Sequence, residues 1–269
     1  MTSYSIKEII QGGGSGTGMS HYLKRAECPL KQIHNEQAKA DGDYGITENM
    51  AVGSIFHKIA ELYHTGDDTS RVPNIVDGEL VLSSWATEAR RLFDFYASYT
   101  PVNGWGRVVS AEELMETTVP GTDIPLTGRT DLLTEVEPGS ELATIYNGPG
   151  EYILDYKTHK QKPQDVAVRD QMSLQYVNYM WQRFLKTGKW VRGTLVHHLV
   201  RHAKLERNKS ELTTLILPPS EHDLEKLFTF VKYSAALPTG FANLSQCTPI
   251  TGPCRHLTSG RCDQLSKGV

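Results

Sequence analysis

Tyr152-Ile153-Leu154-Asp155-Tyr156-Lys157 sets two charged side chains at the end of an apolar run, and Leu126-Thr127-Gly128-Arg129-Thr130-Asp131 upstream ends on a third. Apolar, β-branched and aromatic residues between turn formers predict a strand for each stretch. Side chains alternate along a strand, so Asp155 and Lys157 point to one face. A carboxylate and an ammonium are costly to bury side by side in an apolar strand unless something uses them. A divalent metal held by Asp131 and Asp155, with Lys157 beside it, would use all three. That arrangement suits hydrolysis of a phosphodiester.

The neighbouring sequence supplies a sheet for these strands. Val108–Val119 and Ile124–Val136 are predicted as a strand pair joined by the turn Pro120-Gly121-Thr122-Asp123. Tyr152–Thr158 is the next strand, Trp190–Val200 another with Val191, Thr194, Val196 and Leu199 as wall residues, and Leu212–Leu217 pairs with it. Helical spacing marks Met19–Glu27, Met50–His64, Leu80–Tyr99, Val166–Lys186 and Glu221–Leu237. Glu137–Gly150 is predicted as a loop. This order gives an α/β fold, a mixed central sheet flanked by helices.

The 269 residues suffice for one good-sized α/β domain with excursions or for two small ones. The expected organisation is a flexible leader over 1–18 and one domain over 19–269. That domain would carry a helical insertion at about 65–106 and a cysteine-bearing region at about 238–269. No apolar run is long enough to span a membrane, and the start lacks a secretory pattern; a cytoplasmic, intracellular protein is expected. Gly13–Ser20 has the spacing of a phosphate-binding loop, but Met19 stands where the lysine belongs, so it is read as leader.

The net charge of −3 argues for no particular partner, yet its distribution does. Between Asp155 and Lys209, 12 Lys and Arg stand against 4 Asp and Glu, a local excess of +8. A basic segment starting at the candidate metal site is the footprint of a phosphate-backbone track, against the plainer reading of a solvated helix face.

On the Met50–His64 helix, His57, Glu61 and His64 share one face. They are either a solvated face opposite Ile55, Ile59 and Leu62, or an approach of His57 to the metal; a zinc site from all three would need a fourth partner. Gln171, Gln175 and Tyr179 form a line at i, i+4 and i+8 on the Val166–Lys186 helix. Gln175 and Tyr179 are placed to reach DNA or to hold the lysine and carboxylates in register; the alternative is a core tyrosine and surface glutamines. Cys247, Cys254 and Cys262 cluster, with Cys28 distant. Four thiolates suit an iron–sulfur cluster or zinc, and free thiols compete with both.

Taken in order, Gly53-Ser54-Ile55-Phe56-His57, Gly128-Arg129-Thr130-Asp131, Leu154-Asp155-Tyr156-Lys157 and Gln175-Tyr176-Val177-Asn178-Tyr179 resemble the motifs of RecB-type nucleases of the PD-(D/E)XK superfamily. The likeness is to CRISPR-associated and phage iron–sulfur exonucleases and to the AddB nuclease domain, and it runs from about Met19 to Cys262. It implies a restriction-endonuclease-like core. His57, Asp131, Asp155 and the Tyr156 carbonyl would be ligands to Mg²⁺ or Mn²⁺, Lys157 the catalytic lysine, and Gln175 and Tyr179 the downstream helix motif. Cys28 with Cys247, Cys254 and Cys262 would close a [4Fe–4S] cluster joining the two ends of the chain, with zinc as the alternative. The implied activity is that of a metal-dependent DNA exonuclease, prokaryotic or phage-encoded, acting on ends or single strands, with recombination, helicase or CRISPR-adaptation partners. A non-catalytic DNA-binding or assembly subunit keeping the fold is the competing class. Thr130 stands where relatives often have an aliphatic residue, and helicase motifs are absent.

Overall fold

Thr47 starts the helix that carries His57. Its side chain accepts a hydrogen bond from Met50 N–H, and Gly66, in the left-handed region at φ 77°, ends the helix by donating to Leu62 and Tyr63 carbonyls. Helix α3 therefore runs Glu48–Thr65, following α1 (Ile6–Gln11) and α2 (Met19–Glu27) in the computed structural model. The structure describes residues 3–11, 18–27, 46–100, 104–160, 165–201 and 212–237. α3 buries Val52, Ile55, Phe56, Ile59 and Leu62 on one side. Each such side chain is stabilised by roughly 1.5–3 kcal/mol relative to exposure, and cutting Phe56 to alanine would cost about 3–5 kcal/mol.

Five strands form one sheet in the order β1 (Arg107–Thr118), β2 (Pro125–Val136), β3 (Gly150–His159), β4 (Gly193–Val200), β5 (Leu212–Ile216). β2 and β3 are antiparallel, with Leu132 opposite Leu154. β3 and β4 are parallel, with Asp155 opposite Val196 and Lys157 opposite His198, and β4 and β5 are antiparallel. A parallel pair needs a crossover, and α6 (Val166–Gln171) and α7 (Leu174–Thr187) lie in it. Alternation along β3 feeds two cores. Tyr152, Leu154 and Tyr156 join α3 and α4 (Leu80–Tyr99), while Ile153 joins Tyr176, Tyr179 and Met180 of α7. Asp155 and Lys157 therefore belong to the α7 side.

Several expectations change. The helix expected over Val166–Lys186 is two helices, because Ser173 is extended at φ −78°, ψ 114° and starts a new one. Gln171 thus sits on α6 and leaves the line of Gln175 and Tyr179. The loop Glu137–Gly150 contains α5 (Glu141–Ile145), whose first turn is capped by Ser140 Oγ accepting from Ala143 N–H at 3.2 Å. Within the leader expected to be flexible, α1 is helical and Ile6 is buried in the main core. Within the stretch expected as a helical insertion, Ala86, Ala89, Leu92 and Tyr96 of α4 are part of that core. Trp190, expected in β4, instead stacks on Phe184 with ring centroids 4.5 Å apart. The cysteine region, and with it the joining of the chain ends by a cluster, lies outside the described residues.

Contacts divide the chain into two units. One holds the described residues within 1–13, 46–115 and 128–224, and the other those within 14–45, 116–127 and 225–269. In the second, Arg25 of α2 donates to the Ser234 and Leu237 carbonyls at 2.8 and 2.7 Å, at the C-terminal end of α8 (Glu221–Ala236). Carbonyls of a helix's last turn lack the usual i+4 donor, and a cation there also suits the helix dipole. Ser234 Oγ donates to the Tyr22 carbonyl at 2.7 Å, tying the same two helices. Among the described residues, no helix is long and apolar enough to cross a membrane.

Candidate metal centre and active site

Three elements of the first unit bring His57, Asp131 and Glu112 together. α3 supplies His57, whose Nδ1 is 3.2 Å from Asp131 Oδ1 and 3.9 Å from Glu112 Oε1. β2 supplies Asp131, and β1 supplies Glu112. One donor atom from each lies within 4.8 Å of the others. Asp131 is oriented through its second oxygen, which accepts the Tyr156 N–H at 2.6 Å.

Glu112 escaped the sequence reading. It adopts φ 50°, a left-handed conformation rare for a side chain of this kind inside a strand. The available signal was the run Glu112-Glu113 in a strand adjoining the one that bears Asp131, since neighbours on a strand face opposite sides. Glu113 duly faces elsewhere, bonding Ser110 Oγ at 2.6 Å and pairing with Arg183 and Lys186.

The charges at this centre strain against one another. Burial, then the Asp131 charge, push Glu112 up to about 7, with His57 opposing. Burial disfavours the His57 cation, but Asp131 and then Glu112 outweigh it and raise its pKa to about 9. Burial likewise opposes the Asp131 anion, and the His57 charge overcomes it, holding Asp131 below the usual carboxylate range. In metal-free protein a proton on His57 thus stands in for a cation among carboxylates. One imidazole and two carboxylates converging, with the Arg129 guanidinium 3.8 Å from the other Glu112 oxygen, fit Mg²⁺ or Mn²⁺, the nitrogen making Mn²⁺ the more acceptable.

Asp155 and Lys157 form the second half of the site. Lys157 Nζ is 2.6 Å from Asp155 Oδ2; the carboxylate side chain is 2% exposed and the lysine 35%. Tyr176 O–H donates to Asp155 Oδ2 at 3.2 Å, and Gln175 Nε2 approaches Oδ1 at 3.4 Å. Gln175 Nε2 also donates to Tyr179 O–H at 2.7 Å. Gln175 thus links Tyr179 to Asp155, and Tyr179 is at once a buried core aromatic and a member of this network. Burial opposes the lysine's charge, but Asp155 and then Asp131 outweigh it and raise its pKa, so Lys157 stands as an ammonium donor.

Gly128 explains itself only here. A Cβ on it would lie 2.6 Å from Gln182 Oε1 and 2.8 Å from Tyr179 Cδ1. The tyrosine packs directly over the strand that leads to Asp131.

Other expected site residues separate. His64 is not on a solvated face with His57 and Glu61; it is buried, with Nε2 2.7 Å from Tyr96 O–H. Glu61 pairs with Lys58 at 2.8 Å. The Tyr156 group seen to meet the centre is its N–H, at Asp131. The basic segment is partly used internally: buried Arg183 pairs with Glu151 at 2.8 Å and buried Arg201 with Glu48 at 2.9 Å. Cys28, Cys247, Cys254 and Cys262 lie outside the described residues. A cleft of about 560 Å³ opens beside the metal centre, lined by His57, Glu112 and Asp131 together with Tyr4, Lys58 and Arg129.

No curated protein matches the chain. A solved structure, SSO0001, is similar over 90% of this chain and 89% of its own, at 11% identity and a TM-score of 0.43, too distant to bear on the site. The model of the PD-(D/E)XK nuclease superfamily matches residues 19–232, a span that takes in His57, Glu112, Asp131, Asp155 and Lys157. With most of its length matched to that model and a mixed sheet placing an acidic and histidine centre beside an Asp–Lys pair, the chain belongs to the PD-(D/E)XK nuclease superfamily.

Proposed function

We propose that this protein is a metal-dependent DNA nuclease of the RecB type, an exonuclease working on DNA ends or single strands in recombination, repair or phage- and CRISPR-type DNA processing. The observation that carries the nuclease reading is the meeting of the His57–Glu112–Asp131 cluster with the Asp155–Lys157 pair. The exonuclease mode and the pathway rest on the motif resemblance.

In this reading His57, Asp131, Asp155 and the Tyr156 carbonyl hold Mg²⁺ or Mn²⁺, with Glu112 added to the set. When bound, the ion would supply Lewis acidity toward the scissile phosphate and an attacking water. Lys157, kept charged by Asp155, donates to a phosphate oxygen or orients the water, and stabilises negative charge as it builds on the phosphoryl group. An ammonium cannot take the water's proton, so Lys157 serves as donor rather than base. Asp155 keeps the lysine in place, and Tyr176 and Gln175 keep Asp155 in place.

Cys28, Cys247, Cys254 and Cys262 are proposed to hold a structural [4Fe–4S] cluster, with zinc as the alternative. Protein purified without oxygen should be brown; a colourless protein with stoichiometric zinc decides for zinc, and neither metal leaves free thiols.

The test of function is a cleavage assay with Mn²⁺ on single- and double-stranded DNA. Metal-dependent loss of substrate is expected. DNA binding without cleavage under any divalent ion would favour the non-catalytic subunit instead.

A further inference from the structure

Beyond the metal centre, Asp170 of α6, His198 of β4 and His159 of β3 form an unbroken chain. Asp170 Oδ2 is 2.7 Å from His198 Nε2, and His198 Nδ1 is 2.9 Å from His159 Nε2. Asp170 and His198 are buried at 7% and 2% exposure, and His159 is partly exposed. Asp155, Lys157 and His159 occupy alternate positions of β3, and Lys157 is the register partner of His198. The exposed end of the chain therefore lies on the same face as the active lysine, about 7 Å further along the strand. Among the described residues, no hydrogen-bond partner meets the outer nitrogen of His159.

A buried carboxylate with two imidazoles is costlier to fold around than apolar residues of the same size. Its placement beside Lys157 gives that cost a use. We propose that His159 binds a phosphate of the substrate strand next to the one being cleaved, donating from its outer ring nitrogen, with His198 and Asp170 as the residues that position it. This rests on the nuclease reading above and deepens it.

The hydrogen bonds dictate the protons. Ionised Asp170 only accepts, so His198 Nε2 donates to it. One proton must lie between the two rings. If His159 supplies it, its outer nitrogen is a bare lone pair that repels a phosphate oxygen. If His198 supplies it, the outer nitrogen of His159 carries the N–H that a phosphate needs, and the ring pair bears one positive charge between two anions. The groups facing His159 are His198 from β4, Arg169 and Asp170 from α6 and Lys157 from its own strand. Burial first, then the His198, Arg169 and Lys157 charges, keep its pKa at about 4, with Asp170 opposing. The form that meets a phosphate thus carries one proton more than the neutral ring pair, so acid favours phosphate binding.

The experiment is binding of a labelled single-stranded oligonucleotide to the full chain by fluorescence anisotropy across pH 6 to 8, with Ca²⁺ replacing Mn²⁺ at a concentration that saturates the metal site at every pH, so that His57 and Glu112 do not titrate. Wild-type affinity should fall as pH rises, and His159→Ala should bind about tenfold more weakly at the acid end and lose that pH slope. Asp170→Asn should also weaken binding, although removing a negative charge would by itself strengthen the hold on phosphate. Asp170→Asn binding as well as or better than wild type, or a wild-type pH slope in His159→Ala, overturns the proposal. If thermal melting shows Asp170→Asn unfolded, the slope in partly exposed His159→Ala decides alone. A wild-type chain that binds no oligonucleotide sinks the nuclease reading instead.

Discussion

Lys157 Nζ and Asp155 Oδ2, 2.6 Å apart, form a one-sided ion pair: the carboxylate is buried, and the ammonium keeps 35% of its side chain in solvent. The buried partner holds the charge of the half-buried one, whose remaining exposure leaves it able to meet a substrate. Lys157→Ala and Asp155→Ala should each abolish DNA cleavage while the fold survives. In Lys157→Ala the stranded Asp155 can take a proton, because burial already raises its pKa. Circular dichroism checks the fold and a Mn²⁺ cleavage assay the activity; full activity in folded Lys157→Ala protein defeats the mechanism.

Glu112 makes a sharper test, since only its place in space recommends it. Glu112→Gln keeps the shape but removes a carboxylate from the cluster with His57 and Asp131. Mn²⁺ affinity measured by calorimetry should drop by about tenfold or more. Unchanged affinity would remove Glu112 from the ligand set.

Metal binding should release protons. His57 titrates at about 9 in metal-free protein, and a ligand imidazole must be neutral. Near pH 8, Mn²⁺ should therefore displace about one proton per ion, and affinity should rise with pH until the His57 pKa is passed. Calorimetry in buffers of different ionisation enthalpy counts the protons; none released at pH 8 contradicts His57 as a ligand.

His197 links pH to stability away from the cleft. Burial, then the His198 charge, lower its pKa to about 4, and its Nδ1 is 3.0 Å from Thr213 Oγ1. The unfolded chain takes up the proton near pH 6.5 and the folded one only near 4. Stability is therefore full above about 6.5 and declines as pH falls toward 4, by about 3 kcal/mol at the bottom of that window. Thermal melts should show a smaller fall in His197→Gln than in wild type; equal falls would mean that His197 contributes nothing to acid sensitivity.

Gly128→Ala should destabilise the protein by about 1–3 kcal/mol, through overpacking against Gln182 and the Tyr179 ring. Displacing Tyr179 also disturbs Gln175 and Asp155, so cleavage should fall along with the urea midpoint. A variant with wild-type stability and rate would show that the ring moves aside freely.

Part of the candidate site was legible because its signals are local. Alternation along Tyr152–Lys157 sets Asp155 and Lys157 on one face whatever surrounds them, and the spacing of Ile55, Ile59 and Leu62 marks a helix that carries His57. The break at Ser173 was illegible: one extended residue stops a helix, and the apolar pattern on either side reads as continuous. Arg183 and Arg201 read as part of a basic track, but burial and acidic partners give them to the fold.

By itself, the sequence determined which residues share a face within one element, and so paired Asp155 with Lys157, while the motif resemblance added His57 to them and to Asp131. Only the tertiary structure decided which elements meet. It brought Glu112 of β1 to His57 and Asp131, turned His64 into the core, joined Asp170 to His159 through His198, and gave Gly128 its reason in the ring of Tyr179. Periodicity records the geometry of one helix or one strand. The distance between side chains on different elements depends on packing and register, to which no spacing along the chain corresponds.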